Sequence, residues 1–128
     1  FGDVPQRCVD LLAGVDSPAL RAIWDPANFV QVGVQRPFDA LASLRPWLDY
    51  LHIKDAQPDG SVVPAGEGAG QVRETLRSLA DDGWDGVLSL EPHLAEVGAF
   101  GGFSGPERWR RAHGALTSLL DAEGIEYR

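Results

Sequence analysis

Three short apolar runs each end on a side chain that can bind a metal ion. Leu20-Arg21-Ala22-Ile23-Trp24 stops at Asp25, and Gly86-Val87-Leu88-Ser89-Leu90 stops at Glu91. Between them, Leu48-Asp49-Tyr50-Leu51-His52-Ile53 carries His52 near its end and runs into Lys54 and Asp55. Two carboxylates and an imidazole suit a hard or borderline divalent cation. Taken singly, each has a plainer role: Asp25 before Pro26 as a turn former, His52 as a hydrogen-bonded core or surface histidine, Glu91 as an exposed charge. Their recurrence at equivalent positions favours a joint site, provided the three ends meet in space.

The neighbouring residues extend the set. Asn28, three residues after Asp25, either caps a turn or hydrogen-bonds a substrate. Lys54 alternates with His52 and should share its face. It either neutralises a developing oxyanion or forms a salt bridge with a nearby carboxylate. Asp55 is a cap, a loop charge or an orienter of His52. Glu67, within Gly66-Glu67-Gly68-Ala69-Gly70, can hydrogen-bond loop backbone, and His93 lies two residues past Glu91 at the rim. The glycines follow no nucleotide fingerprint. His113 falls in the last helix as a surface residue. Cys8 falls in the first, as a small core residue, and no Gly-x-Ser-x-Gly elbow occurs.

The elements that must position these groups alternate. Helices are expected over 4–15 (with Asp3 as N-cap and Val4, Cys8, Leu11 and Leu12 on one face), 37–47, 71–82 and 106–123. Strands are expected over 20–24, 48–53 and 87–90. In the third helix Glu74 is within reach of Arg77, and Gly83 ends it. In the last, Trp109, Ala112, Leu116, Leu119 and Leu120 point inward, and Gly124 closes it. Gln57-Pro58-Asp59-Gly60 reads as a turn and Val62-Val63 as a brief extended segment. The order α-β-α-β-α-β-α implies parallel strands with right-handed crossovers. Long loops follow the strands and short ones return to them, which is the α/β arrangement of a (β/α) barrel with its function at the C-terminal face. Three strands cannot close an eight-stranded barrel. The leading helix and the lack of Met make the C-terminal half of such a barrel the expectation for residues 1–128.

Composition narrows the classes. With 11 basic and 19 acidic residues the net charge is −8, which disfavours nucleic acid as a partner. A single cysteine forms no intrachain disulfide. No apolar run approaches a membrane span, and the first residues lack signal-peptide character. A cytoplasmic location is the default expectation.

Trp24-Asp25-Pro26-Ala27-Asn28, Leu51-His52-Ile53-Lys54-Asp55, Pro64-Ala65-Gly66-Glu67-Gly68 and Leu88-Ser89-Leu90-Glu91-Pro92-His93 together resemble the xylose-isomerase-like TIM-barrel superfamily. That superfamily includes sugar phosphate isomerases/epimerases, ketose 3-epimerases, inosose dehydratases and metal-dependent apurinic endonucleases. The resemblance implies a metal-dependent isomerase or epimerase acting on a sugar through an enediolate. Asp25, His52 and Glu91 would hold a divalent ion (Mn, Mg, Co or Zn), with Glu91 also the catalytic acid/base. A partner glutamate would lie on the fifth strand, upstream of Phe1. The family often carries His where Asn28 stands. The endonucleases use further His and Asp ligands after the seventh strand; here that loop has Asp59 and no histidine. Two alternatives remain: a dehydratase of a keto-polyol, and an inactive barrel fragment. The expected partners are a small sugar or polyol, and either further copies in a homo-oligomer or the missing N-terminal half.

Overall fold

The computed structural model of the protein describes residues 4–92 and 105–128. Helix α1 is Pro5–Val15, β1 Ala22–Trp24, α2 Pro26–Gln31 and α3 Pro37–Leu44. A 3₁₀ turn at Arg45–Trp47 leads into β2, Leu48–Ile53. Then come β3 (Asp55–Ala56), β4 (Val62–Val63), α4 (Val72–Asp81), β5 (Val87–Leu90) and α5 (Pro106–Ala122). Strands β1, β2 and β5 form one parallel sheet in that order, and β3 and β4 form an antiparallel pair.

Alternation gives the parallel sheet two unlike faces. Trp24, Leu51 and Ile53 are at most 1% exposed. They pack into one apolar core with Leu12 of α1, Leu41 and Leu44 of α3, Leu76 and Leu79 of α4, and Leu116, Leu119 and Leu120 of α5. Leu88 and Leu90 pack against the same core. The opposite face carries Ile23, Tyr50, His52, Ser89 and Val87, with Ile23 and Val87 exposed. Parallel sheets are ordinarily covered on both faces. Here the helices bury one face, and the other, among the described residues, lies open like the inner wall of a barrel.

Polar ties hold the helix layer in place. Arg45 donates to Ser78 Oγ and to the Ser78 carbonyl and pairs with Asp82, joining the end of α3 to α4. Arg73 and Arg77 of α4 both pair with Glu123 at the end of α5. This replaces the expected Glu74–Arg77 contact, because Glu123 lies within reach of both guanidinium groups.

Several other expectations change. Asp25-Pro26 opens a helix rather than a turn: the Asp25 carboxylate caps α2 and Pro26 takes its first turn, where a missing N–H does no harm. Val4 occupies the N-cap of α1 with no side-chain cap bond; Asp3 lies outside the described residues. On that helix Leu12 is buried, Cys8 is half-buried and Leu11 is exposed. The strand expected from Leu20 begins at Ala22. Trp109 does not point inward; it is exposed and stacks on His113, one helical turn on, with ring centroids 5.0 Å apart. Gly83 and Gly124 do end their helices with positive φ.

Candidate metal centre

The register of the parallel sheet assembles the site. Trp24 pairs with Leu51, which carries Asp25 alongside His52. Leu90 pairs with Ile53, which carries Glu91 alongside Lys54, and the Glu91 N–H donates to the Ile53 carbonyl at 3.2 Å. The four polar side chains lie on the face away from the helices, at the C-terminal ends of three neighbouring strands.

One donor atom from each of Asp25, His52 and Glu91 falls within 4.8 Å of the other two. His52 Nδ1 stands 3.5 Å from Asp25 Oδ2 and 3.4 Å from Glu91 Oε2. Lys54 Nζ lies against the same two oxygens, 2.6 Å from Glu91 Oε2 with a hydrogen bond and 3.2 Å from Asp25 Oδ2. The lysine is only 6% exposed. Of the two roles read for it, the salt bridge is the one the structure shows.

Asp25 uses its oxygens differently. Oδ1 accepts the Asn28 N–H at 3.0 Å and so caps α2. Oδ2 is buried and makes no hydrogen bond. A buried carboxylate oxygen is costly without a hydrogen bond or a compensating charge; here the Lys54 ammonium at 3.2 Å supplies the charge, and the oxygen also lies within reach of an imidazole and a second carboxylate. The donor set therefore fits a divalent ion, with carboxylate and imidazole ligands of the right kind and within reach of one centre.

The remaining residues divide clearly. Asn28 reaches the site through its backbone only, and its side chain is exposed. Asp55 is fully buried and faces away from the cluster. Its Oδ1 accepts the N–H groups of Ala56 (2.8 Å) and Gly70 (2.7 Å), and its Oδ2 those of Gly66 and Gly68 (both 3.1 Å). It organises the loop and has no bond to His52. Glu67 is exposed and pairs with Arg111 of α5 at 2.8 Å, while its carbonyl accepts Gln57 Nε2. Asp59 binds Ser61 through both the hydroxyl and the N–H, which holds its carboxyl below the usual range. These bonds fix the turn that Gly60 closes onto the Gln57 carbonyl. His93 lies outside the described residues. The role that sequence reasoning missed is the cradle around Asp55; its signal was three glycines at alternate positions after a strand-end aspartate.

A family model described as xylose isomerase-like TIM barrel matches residues 1–119, and the chain belongs to that family. The 2-epi-5-epi-valiolone 7-phosphate 2-epimerase of an Actinoplanes species is 42% identical over 77 residues, which cover 59% of this chain and 28% of the relative. A crystal structure of a D-tagatose 3-epimerase-like protein superposes with a TM-score of 0.72 at 19% identity, over 97% of this chain and 43% of that one. The xylose isomerase domain protein of Planctomyces limnophilus superposes with a TM-score of 0.65 at 24% identity, over 92% and 41%. At these identities the two structures show a shared fold. The chain spans less than half the length of these relatives.

Proposed function

We propose that this chain, as a member of the xylose isomerase-like TIM-barrel family, works in a divalent-metal-dependent isomerase or epimerase acting on a sugar or sugar phosphate. The observation that carries the reading is the convergence of Asp25, His52 and Glu91 at the ends of three adjacent strands, with a buried Asp25 oxygen that lacks a hydrogen bond. The epimerase named among the relatives, whose substrate is a phosphate ester, supports the same class. In this reading residues 1–128 are the fifth helix through the eighth of a larger barrel. A glutamate on its fifth strand completes the ligand set.

Asp25, His52 and Glu91 would hold the ion. When bound, it would supply Lewis-acid polarisation of a substrate carbonyl. The chain's own groups then divide the work. Asp25 is locked by the helix it caps, so its second oxygen keeps a fixed direction. Glu91 is the most exposed of the three, with about a third of its side chain open. It is the carboxylate placed to take a proton from the carbon next to the carbonyl and return it. Before an ion enters, Lys54 holds Glu91 Oε2 through its hydrogen bond. Trp24, Leu51 and Ile53 seal the floor of the site against water from the helix side.

The test is solvent exchange. In D₂O with Mn²⁺, the full protein should exchange the α-proton of a ketose or ketose phosphate. Chelation should abolish the exchange, and Glu91→Gln should slow it by about 100-fold or more. Absence of exchange across a panel of ketoses overturns the reading. Loss of water from the substrate would assign a dehydratase instead.

A further inference from the structure

A cation already stands in the proposed metal centre, and the chain supplies it. Lys54 Nζ contacts Glu91 Oε2 at 2.6 Å and Asp25 Oδ2 at 3.2 Å, the same two oxygens that face His52 Nδ1. A bound ion sits about 2.0–2.2 Å from carboxylate and imidazole donors. An ion at that distance from both oxygens would lie within a few ångströms of the ammonium. The two charges repel at short range, in a site where only 6% of the lysine is exposed to screening water. Both cannot keep their best positions.

Without the lysine, the metal-free site would hold two carboxylates with donor oxygens within 4.8 Å of one another and a histidine between them. Like charges that close favour neither. The ammonium relieves this. Lysine also suits displacement better than arginine, since its charge ends a flexible stem and makes single contacts instead of a two-pronged clamp.

We propose that Lys54 is a displaceable internal counter-ion. It holds Asp25 and Glu91 together while no metal is bound, and its removal from Glu91 Oε2 on metal entry sets the affinity of the site. The proposal rests on the metal-centre reading above. It gives Lys54 a positioning role and assigns it no contact with substrate.

The test is calorimetric titration of Mn²⁺ into chelator-stripped full protein, comparing the wild type with Lys54→Met and Lys54→Gln. The second variant keeps a donor for Glu91 Oε2 and guards against a misfolded first. Both neutral variants should bind Mn²⁺ at least tenfold tighter. Both should unfold at lower temperature than the wild type under chelation and recover when saturated with Mn²⁺. A further measurement needs no variant: Mn²⁺ should raise the rate at which Lys54 of the wild type is reductively methylated, followed by peptide mass spectrometry. Mn²⁺ binding by the wild type with no gain in either folded variant, or with methylation of Lys54 unchanged, overturns this proposal alone. Absence of Mn²⁺ binding in all three proteins overturns the metal-centre reading, and this proposal with it.

Discussion

Asp25 and Asp55 are both buried carboxylates that follow strands of the same sheet, yet their surroundings differ in kind. Asp55 is enclosed by four backbone N–H groups, two to each oxygen. Asp25 gives one oxygen to a helix cap and leaves the other without a hydrogen bond, beside an imidazole, an ammonium and a second carboxylate. Backbone donors satisfy a charge permanently, because the fold holds them there. Side-chain cations can be exchanged. The contrast separates a carboxylate held on both oxygens by backbone from one whose second oxygen meets only side chains. It also shows that burial alone does not distinguish the two.

The contrast breaks first if Asp55 proves dispensable. Asp55→Ala should be the most damaging substitution of the set, because it leaves four backbone N–H groups turned toward a cavity. Unsatisfied buried donors cost about 1–3 kcal/mol each. With partial hydration of the loop, a loss of roughly 3 kcal/mol or more is expected in urea unfolding of the chelated protein. A loss below about 1 kcal/mol would mean that the cradle is not what orders residues 66–70.

A smaller effect is expected at Gly68. A Cβ there would lie 2.5 Å from Asp55 Oδ1 and 2.5 Å from the Ala56 carbonyl oxygen. Neither the strand carbonyl nor the bonded carboxylate has room to retreat. Gly68→Ala should cost about 1–3 kcal/mol. Gly60→Ala differs because nothing lies within 4 Å of the added methyl, although the positive φ of 87° adds local strain. Comparing the two by the same unfolding measurement separates crowding at the cradle from backbone strain. Equal losses would remove the steric account.

The same two aspartates show what the sequence could disclose. The apolar runs over 48–53 and 87–90 appear as strands with those bounds, since short apolar runs alternating with helices pair as parallel strands. Clustering of Asp25, His52 and Glu91 followed from their shared place at strand ends. The stagger between strands did not follow. It is set by tertiary pairing, including the irregularity between Ala22 and Ile23. The β2–β5 register, in which Ile53 pairs with Leu90, puts Lys54, rather than His52, directly beside Glu91. The Asp55 cradle stayed hidden for a related reason: three of its four partners are backbone groups 11 to 15 residues away, and backbone groups carry no sequence signal. The glycines recorded only that side chains had no space there. Residues 26–31 were missed as a helix because Asp-Pro begins turns and helices with the same cap chemistry.

The smallest effect on stability should come from Asp25, and it sharpens the comparison most. Asp25→Ser keeps an oxygen that can cap α2, since serine caps about as well as aspartate. It deletes the oxygen that lacks a hydrogen bond. Lys54 retains its bond to Glu91 and loses only the longer 3.2 Å contact. Unfolding free energy under chelation should therefore change by less than about 1 kcal/mol. The thermal stabilisation that Mn²⁺ gives the wild type should be lost, because one of the three donors is gone. Retention of full Mn²⁺ stabilisation would show that Asp25, like Asp55, serves the fold alone.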